Sequence, residues 1–294
     1  MSQATQPPAE TTLKVATPRG GVHVREWPGD GPPIVMMHGF PDDSRIYDRL
    51  VPFLAPRRGV AFDFVGQGHS ARVDMAALEG RRDDELAAVL DALRLEGATI
   101  VAHDASGPVA IDLALDRQDR VGALLLLNTY YGNAPSLRIP EMIRLLADPN
   151  FASLADAILA DANQRLWLLD YTALRFGDNP NDPNGVGVNA VFPQFFGESG
   201  GPNALAAIRS WTAELFGALA AQDKAIAAGK LRALRVPTRL VFGEDDPDLN
   251  PGLARHLAGL FTNAHLHLVA AANHWPQWDQ PEIVARLIKE PAAA

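Results

Sequence analysis

Short, nearly unbroken apolar runs alternate with longer amphipathic stretches through the first part of the chain. Residues 34–37, 60–64, 99–102 and 122–127 are such runs, and each ends at a polar or glycine-bearing turn. Between them, residues 44–54, 81–95 and 108–115 space their apolar positions as helices do. Continuous apolar strands separated by helices predict right-handed βαβ units and a mostly parallel, twisted sheet with helices on both faces. From Tyr130 to Arg232 the alternation gives way to helical patterns, broken by one loop rich in Asn, Asp, Pro and Gly at 177–187. The strand–helix rhythm resumes with strands at 238–242 and 264–269, a helix at 251–260 and a last helix after Pro281. The pattern predicts an α/β core over 1–129 and 233–294, with a helical segment inserted at 130–232. Residues 1–12 are polar and proline-bearing, and they read as a frayed tail.

Composition narrows the function classes. With 294 residues and 47% hydrophobic side chains, the chain can bury a sizeable core. A net charge of −9 argues against a nucleic-acid partner, because few cations are left over to neutralise phosphates. The absence of cysteine excludes disulfides and thiolate metal sites. His265 and His267 alternate on a predicted strand with no third ligand in view, so no metal is expected. No apolar stretch reaches membrane-spanning length, and the N-terminus lacks a basic or apolar leader; the expected compartment is the cytoplasm. The oligomeric state is open, a homodimer included.

In open parallel sheets ligands bind beyond the carboxyl ends of the strands, so strand ends are where chemistry is sought. The run Ala102-His103-Asp104-Ala105-Ser106-Gly107 leads from a predicted strand straight into a helix. Such a junction needs a sharp, strained turn, and small neighbours two residues to either side (here Ala102 and Ser106) let the central residue adopt it. That residue is Asp104. Taken alone, an Asp before a helix is an N-cap; Ser106, flanked by Asp104 and Pro108, suits helix-start packing. Other strand ends change the balance. His38-Gly39-Phe40-Pro41 can aim the Phe40 backbone N–H inward, and with the N–H of Ala105 it would form an oxyanion hole. Gly243-Glu244-Asp245-Asp246-Pro247 offers an acid, Asp246, with Asp245 and Asp248 read as a solvated turn. Asn273-His274-Trp275 offers a histidine. Nucleophile, acid and histidine in this chain order, each just past a strand, are far more specific together than apart.

Over nearly its whole length the sequence resembles the α/β-hydrolase superfamily, to which the turn Asp63-Phe64-Val65-Gly66-Gln67-Gly68-His69-Ser70 is also similar, in a structural role. His103-Asp104-x-x-Gly107 resembles the branch with an aspartate nucleophile, which contains epoxide hydrolases, haloalkane dehalogenases and fluoroacetate dehalogenases. The resemblance implies a helical cap over the pocket at 130–232, an Asp104–His274–Asp246 triad, and an aspartyl alkyl-ester intermediate hydrolysed by water without a cofactor or metal. A haloalkane dehalogenase would carry Trp after the nucleophile and Asn after His-Gly, where this chain has Ala105 and Phe40. A fluoroacetate dehalogenase would carry arginines where Ala105 and Pro108 stand. An epoxide hydrolase would need cap donors, normally tyrosines; Tyr130, Tyr131 and Tyr171 are the candidates, with Trp211 near the late cap position. Trp167, Trp211 and Trp275, with Phe192, Phe195 and Phe196, suggest an apolar pocket lining. The expected activity is epoxide hydrolysis of a small hydrophobic substrate, with haloalkane-type dehalogenation or a noncatalytic small-molecule binder as alternatives.

Overall fold

The computed structural model describes residues 9–71, 80–175 and 201–290. The loop expected at 177–187 and the Phe192, Phe195 and Phe196 cluster lie outside the described residues. Eight strands form one sheet: β1 (Thr11–Thr17), β2 (Gly20–Trp27), β3 (Asp30–Met37), β4 (Arg57–Asp63), β5 (Ala98–Asp104), β6 (Val121–Thr129), β7 (Thr238–Gly243) and β8 (Ala264–Val269). Their spatial order is β1-β2-β4-β3-β5-β6-β7-β8. The first three strands in that order pair antiparallel, and all the pairs from β4 onward are parallel.

The apolar runs are continuous because the strands that carry them, β3 to β7, are buried on both faces. Val35, Met37, Val60, Phe62, Ile100 and Ala102 point into one core. Their immediate neighbours Ile34, Met36, Ala61 and Val101 point into a second, on the other side of the sheet. Period-two geometry thus splits one hydrophobic run between two layers. Helices α1 (Arg82–Ala92), α2 (Ser106–Asp116), α8 (Pro251–Ala258) and α9 (Pro281–Lys289) fall where the patterning put them.

The differences from the sequence reading are local. The β1–β2 hairpin was missed, and β1 begins at Thr11, inside the stretch expected to be frayed. Its alternation is weak because it is an edge strand with four of its seven residues exposed. The helix expected at 44–54 is two short 3-10 turns, Ser44–Tyr47 and Val51–Phe53, since Pro52 removes a backbone donor there.

Between β6 and β7 the chain forms α3 (Glu141–Ala147), α4 (Ala152–Ala160), α5 (Ala162–Arg175), α6 (Gly201–Ala227) and the short α7 (Lys230–Ala233). Met142, Leu146, Ala155, Leu159, Leu168 and Ile208 make a small core of their own, against which Phe40 packs from the sheet side. Arg82 of α1 ties this segment to the sheet. Its guanidinium lies 4.0 Å from the centre of the Trp211 ring and bonds Glu214 at 2.5 Å, both on α6.

Candidate active site

Asp104 stands at the end of β5 with φ +50°, a left-handed conformation that costs a non-glycine residue free energy and is held here by its surroundings. The hydroxyl of Thr129 donates to its carbonyl at 2.5 Å. A Cβ on Gly107 would fall 2.0 Å from that hydroxyl oxygen, so the helix after the turn can approach β6 only with glycine there. The N-cap of α2 is Ala105, not Asp104, and the Asp104 carboxylate turns away from the helix to accept the Phe40 N–H at 3.0 Å. Gly39 makes room for it, since a Cβ there would sit 2.7 Å from the Asp104 Cβ. The Ala105 N–H supports the carboxylate as well. Ser106 is fully buried, its hydroxyl bonded to the carbonyls of Met37 and His103, as packing at a helix start requires.

His274 and Asp246 meet across the ends of β7 and β8. The imidazole Nδ1 lies 2.8 Å from Asp246 Oδ2, which also accepts from the Asn128 side-chain amide at 2.8 Å. Asp246 Oδ1 accepts the backbone N–H groups of Asp248 and Leu249, so both carboxylate oxygens are fixed. Asn128, at φ +28°, also accepts the Gly243 N–H at 2.8 Å, tying β6 to the turn that carries the acid. Sequence reading missed it, because an Asn ending an apolar strand looks like the start of a turn. Of the two acids read as solvated, Asp245 is exposed, but Asp248 is buried and lines the pocket.

Behind these groups, His103 Nε2 lies 2.8 Å from the His274 carbonyl, which can only accept, so this nitrogen carries a hydrogen. Its other face is 3.4 Å from Asp42, which takes the Trp275 indole N–H at 3.1 Å. The loop bearing His274 is therefore pinned from below.

The charges reinforce one another. Burial opposes protonation of His274, but Asp246, Asp104 and Asp42 together outweigh it and hold its pKa up at about 9. Burial also works against ionisation of Asp246, yet His274 and the N–H donors bring its carboxyl below the usual range. At Asp104 burial wins and the carboxyl is raised, against the pull of His274, His103 and the N–H groups of Phe40 and Ala105.

Asp104 and His274 open into one cavity with about 80 Å³ of free space, walled by apolar side chains such as Phe40, Leu137, Met142, Ile143 and Leu249. Tyr130, Trp211 and Trp275 line it too. Tyr130 is pushed well above the ordinary phenol pKa by burial and then by the charge of Asp104, and its hydroxyl makes no hydrogen bond among the described residues. Three other expected pocket residues do not reach the cavity. The Tyr131 hydroxyl donates to Asp112 at 2.7 Å on the far side of α2. Trp167 and Tyr171, 62% and 39% exposed, stack on each other on the outer face of α5, where the i, i+4 spacing brings two rings together.

The family model described as the alpha/beta hydrolase family matches residues 34–287. Haloalkane dehalogenase 2 of Mycobacterium tuberculosis is 34% identical over 136 residues, 45% of this chain and 46% of that protein, so the match spans about half of the relative's length. An epoxide hydrolase of Caballeronia sordidicola is 31% identical over 157 residues, 52% of this chain and 47% of that protein. Among solved structures, Cfl2 of Burkholderia cenocepacia superposes with a TM-score of 0.77 at 22% identity, covering 100% of this chain and 98% of that one, a likeness that speaks to the fold alone. An eight-stranded, mostly parallel sheet with helices on both faces, and a family match over most of the length, have one meaning: the chain belongs to the α/β-hydrolase family.

Proposed function

We propose that this hydrolase opens small hydrophobic epoxides through an ester on Asp104, with the segment over 130–232 as the cap of its pocket. The observation that carries the reading is the pairing, in one apolar cavity, of a carboxylate seated on the Phe40 N–H with a half-buried tyrosine whose hydroxyl feels its charge. A carboxylate oxygen of Asp104 attacks a ring carbon, and the C–O bond breaks as the departing alkoxide takes the Tyr130 proton. The His274 imidazolium returns a proton to the Tyr130 phenolate, and the freed imidazole takes one from the water that adds to the ester carbonyl, while the N–H groups of Phe40 and Ala105 hold the oxyanion. Collapse restores the Asp104 carboxylate, releases a vicinal diol and leaves His274 protonated, as it began. One water is added overall.

The charge arrangement supports this order. While Asp104 is ionised its charge helps to keep His274 protonated, with a pKa of about 9. Esterification removes that charge, so the imidazole pKa falls and a base appears once it is needed.

Haloalkane dehalogenation is the second reading, favoured by the Mycobacterium tuberculosis relative and by an indole, Trp211, in the pocket wall. Against it, the Trp275 N–H is already given to Asp42, and Ala105 and Phe40 supply no side-chain donor for a halide.

Intact-mass analysis of His274→Gln separates the readings. An epoxide adduct adds the whole mass of the substrate, whereas a haloalkane adduct adds that mass less the hydrogen halide. We expect the epoxide adduct to accumulate and the wild type to release the diol. Halide release with the lighter adduct would reverse the assignment, and a wild type that neither forms adduct nor turns over either substrate class would leave a binding protein.

A further inference from the structure

A second cluster of chemistry-bearing side chains lies at the end of the β2–β4 pair, and the reaction proposed above does not use it. His23 and Asp63 are direct cross-strand partners, so their side chains leave the sheet on the same face. The turn after β4 then folds back and brings His69 over them. The three residues each offer a ligand atom, all within 4.8 Å of one another. The imidazole rings are 5.1 Å apart centre to centre, and His69 Nδ1 is 3.6 Å from Asp63 Oδ2.

The geometry points to a divalent transition-metal site formed by His23, Asp63 and His69, selective for zinc-, copper- or nickel-like ions. Two imidazoles and one carboxylate are the donor set those ions prefer, while calcium and magnesium look for oxygen alone. Ligands about 2 Å from a tetrahedral ion stand roughly 3.3 Å apart. The widest present spacing, 4.8 Å, exceeds that by about 1.5 Å, and the His69 ring, 64% exposed, has open space in which to close it. That exposure leaves an open side for water to complete the coordination.

The backbone around the ligands is already fixed. Asp63 is fully buried, and its oxygens accept the N–H groups of Ser44 and His69 at 2.8 Å each. The His23 N–H donates to Ser70 Oγ, which donates in turn to the Asp63 carbonyl at 2.5 Å. Gly68, at φ +48°, lets the turn wrap the carboxylate, since a Cβ there would collide with Asp63 Oδ2 at 2.2 Å. Neighbouring cations do not compete for the carboxylate: Arg25 is paired with Glu10 and Asp48, and Arg45 with Asp43. Among the described residues no other group of three such side chains is so arranged. A bound ion would join the hairpin to the turn whose Asp63 also holds Ser44, close after the Phe40-Pro41 segment that walls the pocket.

The test is calorimetric titration of zinc(II), then copper(II), into the untagged full-length chain, beside His23→Gln, His69→Ala and the double variant. The expected result is one equivalent bound per wild-type chain, affinity weakened more than about tenfold in each single variant, and no saturable binding in the double variant. Zinc should also raise the thermal midpoint of the wild type and not that of the double variant, because an ion that binds only the folded state stabilises it. His69 is exposed, so its alanine variant tests the site without disturbing packing. A wild type with no saturable binding overturns the proposal. So does binding that survives unchanged in the double variant, which would put the ion elsewhere, for instance at His265 and His267.

Discussion

The strand ends and the helical insert face each other across one cavity, yet they are built on different terms. At the strand ends every oxygen of Asp246 has a partner, Asp104 is seated on a backbone N–H, and the His274 loop is pinned by His103 and Trp275. The insert offers mostly apolar wall, from Leu137, Met142, Ile143 and Trp211, with Tyr130 at the hinge between the two regions. In the proposed reaction the first arrangement would serve a step common to many substrates, hydrolysis of an acyl centre. The second is where one leaving group would be told from another. Polar networks locate atoms to fractions of an ångström, whereas apolar walls choose by shape.

The largest expected effect lies on the strand side. Asp104→Ala should abolish turnover, a drop of more than about 10⁴-fold in kcat, with no adduct on intact-mass analysis and an unchanged far-UV spectrum. If activity survived there and vanished in Ser106→Ala instead, the attacking group would be the serine, and the contrast drawn above would collapse.

A smaller and more selective effect belongs to the hinge. Tyr130→Phe keeps the ring and removes the donor, so single-turnover ester formation from an epoxide should slow by about 10²–10³-fold. Hydrolysis of an ester already formed should be almost untouched. Equal slowing of both half-reactions would mean that Tyr130 supports the fold of the pocket and donates no proton.

The smallest effect is thermodynamic and confined to the strand side. His274 has its folded pKa raised from the ordinary 6.5 to about 9, so its ion pairs stabilise the fold fully below about 6.5 and lose that contribution as pH rises through 9. Urea unfolding of wild type and His274→Gln across this range should therefore show a stability difference that is largest at pH 6, shrinks towards 9 and is flat above it. A difference independent of pH would mean that the imidazole is neutral throughout.

What could be read in advance follows the same division. Strands buried on both faces announce themselves as apolar runs, and the residues at their ends follow from the turn chemistry, so Asp104, Asp246 and His274 were within reach of the sequence. Asn128 was not, because its role depends on two strands that are adjacent in space and more than a hundred residues apart in the chain. On the insert, tyrosine and tryptophan were found by type alone, and helical phase decided the rest. Tyr130 and Trp211 turned inward, Tyr131 went to Asp112, and Trp167 with Tyr171 went to the surface. The cluster of His23, Asp63 and His69 was passed over because cross-strand register, which cannot be read from one strand, brings it together.

Trp211 and Trp275 both line the cavity, one carried by the insert and one by the loop after the last strand, among five tryptophans in the chain. The first indole lies under the guanidinium of Arg82, and the second meets the His274 ring edge to face at 4.5 Å between centres. Indole emission responds to a nearby cation, and an imidazolium quenches it where a neutral imidazole does so less. With Trp27, Trp167 and Trp278 replaced by Phe, the two remaining indoles would report, without an added label, on the seating of the helices over the pocket and on the proton of the histidine.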